Sequence, residues 1–173
     1  MKALPQVAIA GLVATSGLVA MVPAFAGPVS PLRATGPTNV HNGDFSNVTT
    51  DVHVVNTGSG KTIITLNVAG LPDVVDNVTL GAHVHVDKCG VSSTASGGHY
   101  RNPSPPLGAT LADKEIWLDL DVNSAGRGRA HAVANWTIDA GDAESIVVHA
   151  LPTNPVTGGA GARLFCTNVP FGG

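Results

Sequence analysis

The sequence has few charged residues and no cluster of lysine and arginine. Charged residues make up 12% of the chain, with 9 basic and 12 acidic side chains and a formal net charge of −3. Proteins that follow a phosphate backbone present a concentrated basic surface. Nucleic acid is therefore not expected as a partner.

Only one long apolar run is present, and it lies at the amino terminus. Lys2 precedes an apolar stretch from Val7 to Val22, and a short small-residue segment then ends at Ala26. This layout is typical of a signal peptide that is removed on export. No other segment approaches the ~20 apolar residues that a membrane helix needs. We therefore predict a signal peptide over residues 1–26, cleavage after Ala26, and a secreted protein without a membrane span.

Helical periodicity is also missing beyond residue 26, and the 21 Gly and 12 Pro of the chain oppose long helices. Instead, β-branched residues that suit a half-buried strand recur at every second position, at Val48, Thr50, Val52 and Val54. Further strand candidates separated by turn-forming residues are 62–68, 79–86, 115–122, 129–138, 145–150 and 162–169. Seven or eight short strands predict an all-β antiparallel sandwich or barrel.

The length beyond residue 26 fits a single domain. Residues 27–37 contain Pro, Ser, Gly and Thr without an apolar period, so we predict a flexible leader there. The folded domain is predicted over 38–173. Within it, residues 87–114 form a long stretch of Gly, Ser, Pro and Thr, and long loops in compact domains tend to be functional.

Cysteine is almost absent, since the chain has only Cys89 and Cys166. An even pair in an exported protein is expected to form a disulfide. Closing a loop of this length would stabilise the fold by roughly 4 to 5 kcal/mol on the chain-entropy model. The alternative is two metal-binding thiolates, which is disfavoured because neither cysteine has a second one nearby.

Four histidines occur at positions that indicate a common site. His83 and His85 are two apart in a predicted strand, so both rings project from the same face. Alone this pair is a weak signal, because two surface histidines would give the same pattern. His99 lies in the long loop, and His149 follows an apolar strand where a solvent-facing role is not the obvious one.

The segments around these histidines resemble the copper-zinc superoxide dismutases. The matching motifs are Gly-Ala-His-Val-His (81–85), Gly-Gly-His-Tyr (97–100), Val-Val-His-Ala (147–150) and Gly-Ala-Gly-Ala-Arg-Leu-Phe-Cys (159–166). They occur in the family's order, and the resemblance covers most of the chain beyond the signal peptide. It implies a Greek-key β-sandwich, immunoglobulin-like and of superoxide dismutase type. It also implies one copper ion per chain, bound by His83, His85, His99 and His149.

The resemblance further implies conversion of superoxide to oxygen and hydrogen peroxide by cycling between Cu(II) and Cu(I). Imidazole ligands suit copper in both states. The implied catalytic residues are Arg163, whose permanent charge would attract and orient a small anion, and His99, which would donate a proton. The closing motif of the family also implies a disulfide between Cys89 and Cys166.

The chain departs from the family at the zinc site. No histidine lies between His99 and Asp119, so a complete four-ligand zinc site is not expected. The segment after His149 is short and uncharged where the family has a charged guiding loop. This pattern resembles the copper-only branch, in which an acidic residue can orient the former bridging histidine. Asp119 and Glu115 are the candidates for that role, and a solvated carboxylate is the alternative for either one.

Two other functions remain open at this point. A non-catalytic copper buffer or donor on the same fold would keep the histidines, but it would gain nothing from Arg163 beside the metal. A structural β-sandwich without metal would leave the histidine motifs unexplained. We expect the protein to be a monomer or a homodimer.

Overall fold

The computed structural model describes residues 31–172, which form ten β-strands and three short helical turns. The predicted signal peptide lies outside the described residues. The strands are β1 Leu32–Gly36, β2 Asn39–Val40, β3 Thr49–Asn56, β4 Thr62–Ala69, β5 Thr79–Leu80, β6 Ala82–His85, β7 Leu120–Asn123, β8 Arg127–Ala134, β9 Ser145–His149 and β10 Arg163–Asn168. The turns are α1 Leu111–Lys114 and two 3-10 turns, Gly43–Phe45 and Asp73–Val75.

The strands form two antiparallel sheets that enclose one hydrophobic core. One sheet has the order β1-β3-β4-β8-β7-β5, and the other has the order β2-β10-β9-β6. Side chains from both sheets meet in the core, among them Leu66, Ile146 and Phe165. The predicted all-β sandwich is therefore confirmed. In the part of the chain that the structure describes, no helix is long and apolar enough to cross a membrane.

The period-two pattern of the sequence corresponds to one buried face of the large sheet. In β3 the side chains of Val52 and Val54 are buried, and in β4 those of Ile64 and Leu66 are buried, while the residues between them are only half-buried. Alternate side chains of a strand point to opposite faces, so one face packs on the core. Every residue of β6 and β9 is buried, because residues 86–119, here called the site loop, pack over this part of the small sheet.

The predicted flexible leader over 27–37 is wrong for the part that the structure describes. Residues Leu32–Gly36 form β1, which pairs antiparallel with β3 from Leu32 opposite Val54 to Gly36 opposite Thr50. Leu32 and Ala34 pack against the core, and the neighbouring Arg33 makes an ion pair with Asp51 of β3. Cross-strand pairing thus orders a segment whose own pattern is weak. Residues 27–30 lie outside the described part.

The predicted strand over 79–86 is divided at Gly81 between the two sheets. β5 pairs with β7 in the large sheet, whereas β6 pairs with β9 in the small sheet. A Cβ atom on Gly81 would lie 2.6 Å from the Cβ of Ala160 and 2.8 Å from the carbonyl oxygen of Leu151. Only glycine allows this close approach, which places β6 beside the connection between β9 and β10 (residues 150–162).

Candidate metal centre

The four predicted histidines meet at one side of the small sheet. His83 and His85 lie on β6, His149 ends β9, and His99 of the site loop pairs with the backbone of His85. One ring nitrogen from each histidine lies within 4.8 Å of the others. Within residues 31–172, this is the only group of three or more His, Cys, Asp or Glu side chains that could share an ion.

Three of these nitrogens are buried without a hydrogen-bond partner. His83 and His85 are fully buried, and His149 is 4% exposed. The atoms without a partner are Nδ1 of His83, Nε2 of His85 and Nε2 of His149. A buried polar atom left unpaired costs about 1–3 kcal/mol, so three of them in one cluster need an explanation. An ion shared by these atoms would supply the missing partner, and the histidines therefore fit a metal.

The opposite ring nitrogens of three histidines are anchored by oxygen acceptors. Nδ1 of His85 lies 3.2 Å from the carbonyl oxygen of Gly97, and Nδ1 of His149 lies 3.2 Å from that of Gly161. Nδ1 of His99 lies 2.8 Å from Oε2 of Glu115. Carbonyl and carboxylate oxygens only accept, so each Nδ1 carries the proton and each Nε2 presents its lone pair to the cluster. This arrangement is typical of metal-binding histidines.

Burial keeps three of the four clustered rings neutral. Removal from water, together with the charges of neighbouring groups that include His99 and Arg163, lowers the pKa of His83 to about 2, that of His85 to about 3 and that of His149 to about 4. Neutral imidazole is the form that binds metal ions, so the site is prepared for a cation at neutral pH.

Glu115 is a buried carboxylate that accepts three hydrogen bonds. Its Oε2 accepts from Nδ1 of His99 at 2.8 Å and from Nε1 of Trp117 at 2.9 Å, and its Oε1 accepts from Nε of Arg101 at 2.9 Å. Burial pushes the pKa of Glu115 upward, but the bonds from Trp117 and His99 outweigh it and leave the pKa lowered. Of the two acids considered for His99, Glu115 is the one in contact with it.

Asp119 contacts a different part of the cluster. Its Oδ2 accepts the backbone N–H of Thr153 at 2.8 Å, and its Oδ1 accepts the hydroxyl of Thr153. The same hydroxyl oxygen lies 2.7 Å from Nε2 of His83. His83 is thus the one histidine of the cluster that presents Nδ1 rather than Nε2.

Arg163 lies at the start of β10, opposite His149 in the strand register. Its Nη1 donates to the carbonyl oxygen of Ser93 at 2.8 Å and to Oγ of Ser96 at 3.0 Å, and its Nη2 donates to the carbonyl oxygen of Gly97 at 2.6 Å. All three acceptors belong to the site loop. The guanidinium is therefore held in one orientation, and its charge adds to the effect of burial in lowering the pKa of His85 and His149.

The disulfide between Cys89 and Cys166 is confirmed, and no described cysteine is free. It joins the start of the site loop to β10, and the backbone N–H of Cys89 also donates to Oδ1 of Asn168 at 2.7 Å. These two links attach the site loop, which binds the guanidinium of Arg163, to β10, the strand on which Arg163 lies.

Trp117 and Thr153 are two of the contacts of the site that the sequence analysis missed. Trp117 could have been found, because it lies two residues after Glu115 in an extended segment and so shares its face. Thr153 has no local signal, since its partners Asp119 and His83 lie 34 and 70 residues away in the chain. Only the path of the 150–162 connection brings Thr153 to them.

Several solved structures have a similar fold. The clock protein EA4 matches with a TM-score of 0.60 and 14% identity, over 87% of this chain and 99% of that one. A double mutant of a SOD-like protein from Bacillus subtilis matches with a TM-score of 0.56 and 16% identity, over 82% and 96% of the two chains. Another structure, of a SOD-like protein from Bacillus subtilis, matches with a TM-score of 0.54 and 14% identity, over 80% of this chain and 96% of that one.

No protein-family model matches the chain, and no curated protein matches it in sequence. At these identities the structural likeness shows the fold alone. The chain has a superoxide dismutase-like β-sandwich, and that sandwich carries a four-histidine site able to hold a metal ion.

Proposed function

We propose that this protein is an exported superoxide dismutase that uses one copper ion bound by His83, His85, His99 and His149. The observation that carries the proposal is the group of buried, unpartnered nitrogens on three of these rings, with a guanidinium beside them. Four imidazoles suit tetragonal Cu(II), and nitrogen ligands also accept Cu(I).

Copper would supply the electron exchange, in which one superoxide loses an electron and leaves as oxygen while a second gains that electron and two protons and leaves as hydrogen peroxide. Arg163 would bind the anion. Among the described residues, the Nε–H and one Nη2–H of Arg163 have no acceptor, so these donors are free for a small oxyanion. Because the other N–H groups are tied to the site loop, the anion would meet a charge that is already oriented.

His99 is the proposed proton carrier. Its side chain is 18% exposed, whereas the other three histidines are buried, so it lies on the solvent side of the cluster. Glu115 holds the proton on Nδ1 of His99 and also fixes the plane of the ring. Because Nδ1 is already protonated, Nε2 of His99 would be the atom that takes up and releases the proton, which it can do only while it is not bound to copper.

Zinc is not part of the proposal. Both carboxylate oxygens of Asp119 already accept hydrogen bonds from Thr153, and the described cluster contains histidines only. Export through a signal peptide, with cleavage after Ala26, remains part of the proposal. The disulfide is compatible with an oxidising compartment.

The proposal is tested by superoxide turnover of the purified, copper-loaded protein together with metal analysis. We expect catalytic turnover with about one copper and little zinc per chain. His149→Gln is expected to lose copper and activity, whereas His131→Gln, on the exposed face of β8, is the matched control that keeps both. Stoichiometric copper without turnover would favour a copper buffer or donor. Failure to bind copper would refute both functions.

A further inference from the structure

His83 is held differently from the other three histidines. A carbonyl or carboxylate oxygen anchors Nδ1 in His85, His99 and His149, so that each presents Nε2. In His83 the anchored atom is Nε2, which lies 2.7 Å from Oγ1 of Thr153, and the free atom is the buried Nδ1. A hydroxyl can donate or accept, so Thr153 alone would not decide which nitrogen carries the proton.

Asp119 removes this ambiguity. A carboxylate only accepts, so the short contact between Asp119 and Thr153 requires the hydroxyl proton to point at Oδ1 of Asp119. The oxygen of Thr153 can then only accept from His83. The proton of the neutral ring is thereby placed on Nε2, and the lone pair of Nδ1 faces the cluster.

The backbone fixes the geometry of this chain of hydrogen bonds. Oδ1 of Asp119 also lies 3.3 Å from the backbone nitrogen of Ala82, the residue before His83, and the N–H of Leu118 donates to the carbonyl oxygen of Ala82 at 2.7 Å. On the other side, the N–H of Gly81 donates to the carbonyl oxygen of Leu151 at 2.9 Å, two residues before Thr153. The segments that carry Asp119 and Thr153 are thus tied to β6 and to the glycine directly before it.

We propose that Thr153 and Asp119 are positioning residues that hold His83 in the tautomer with the proton on Nε2, and so direct Nδ1 to the metal. This inference rests on the proposed metal site but not on superoxide turnover. In the opposite tautomer an N–H group would point into the cluster in place of a lone pair, and it could not bind a cation. The pair therefore prevents the tautomer of His83 that would block the site.

The tautomer can be read directly in the metal-free protein. Long-range proton–nitrogen correlation spectra of the full protein, with ¹⁵N-labelled histidine, distinguish a protonated Nε2 from a protonated Nδ1. We expect His83 of the native protein to carry its proton on Nε2. A proton on Nδ1 of the native protein would overturn the inference without any variant.

Variants test the cause. Thr153→Val keeps the shape but loses the hydroxyl, and we expect a mixture of His83 tautomers and about 10- to 100-fold weaker Cu(II) binding with an altered Cu(II) spin-resonance spectrum. Thr153→Ser restores the hydroxyl and should restore both readouts. Thr157→Val, at an exposed position of the same connection, is the matched control and should change neither. Native tautomer and native copper affinity in Thr153→Val, or failure of Thr153→Ser to recover them, would overturn the inference.

The dismutase proposal can be refuted by an outcome that leaves this inference intact. A protein that binds copper with His83 in the expected tautomer, but does not turn over superoxide, would refute the dismutase proposal and support this inference.

Discussion

Replacing Glu115 by glutamine removes one buried negative charge while keeping the volume of the side chain. The native carboxylate is 3% exposed and accepts from the ring of His99, the indole of Trp117 and the guanidinium of Arg101. A glutamine amide has a single acceptor oxygen and an NH2 group. It can satisfy His99 and Trp117 only if its NH2 group faces Arg101.

The expected magnitude follows from these contacts. A hydrogen bond to a charged group contributes about 1.5–3 kcal/mol, and one to a neutral group contributes about 0.5–1.5 kcal/mol. The two buried bonds, to His99 and Trp117, would each lose about 1 kcal/mol. The side chain of Arg101 is 59% exposed and can turn to water, so losing its bond to residue 115 adds little to the loss of stability. We expect Glu115→Gln to lower the free energy of unfolding by about 2 kcal/mol and to weaken copper binding about 10- to 100-fold.

The measurements are urea unfolding of the metal-free protein and copper competition with a chelator. Glu144→Gln is the matched control, since Glu144 is the only other glutamate of the chain and makes a surface ion pair with Lys88 at 3.5 Å. Such a pair contributes roughly 0–1 kcal/mol. Equal effects of the two variants on stability and copper affinity would refute the anchoring role of Glu115.

Two further predictions concern charge. Arg163→Ala is expected to lower the rate with superoxide about tenfold or more and to reduce its salt dependence, with copper retained, because the charge beside the site attracts the anion. Arg129→Ala, on the exposed face of β8, serves as control, and unchanged kinetics in Arg163→Ala would contradict this role. The metal-free protein is expected to lose stability as the pH falls below about 6.5, because unfolded histidines take up protons there while the three buried rings, with pKa values of about 2, 3 and 4, stay neutral. Below that pH, each of these histidines lowers the free energy of unfolding by about 1.4 kcal/mol per pH unit. A thermal unfolding midpoint that is unchanged between pH 7.5 and 5.5 would contradict this prediction.

The local pattern of the sequence was sufficient for the features that depend on one strand at a time. The alternation at Val52 and Val54 predicted which face of β3 is buried, because side-chain direction in a strand follows from position alone. For the same reason the spacing of His83 and His85 placed both rings on one side of β6. The likeness of four ordered motifs to one family then predicted the sandwich fold and the pairing of the two cysteines, which the structure confirms.

Other features were decided only when distant segments met. Leu32–Gly36 becomes a strand because β3 offers it a partner, and nothing within the segment itself predicts this. The choice between Glu115 and Asp119 beside His99 depends on the path of the site loop. The contact of Thr153 with Asp119 and His83 depends on the close passage at Gly81. A sequence pattern determines the direction of a side chain within its own element, whereas hydrogen bonds across 34 or 70 residues exist only once the backbone has closed around the core.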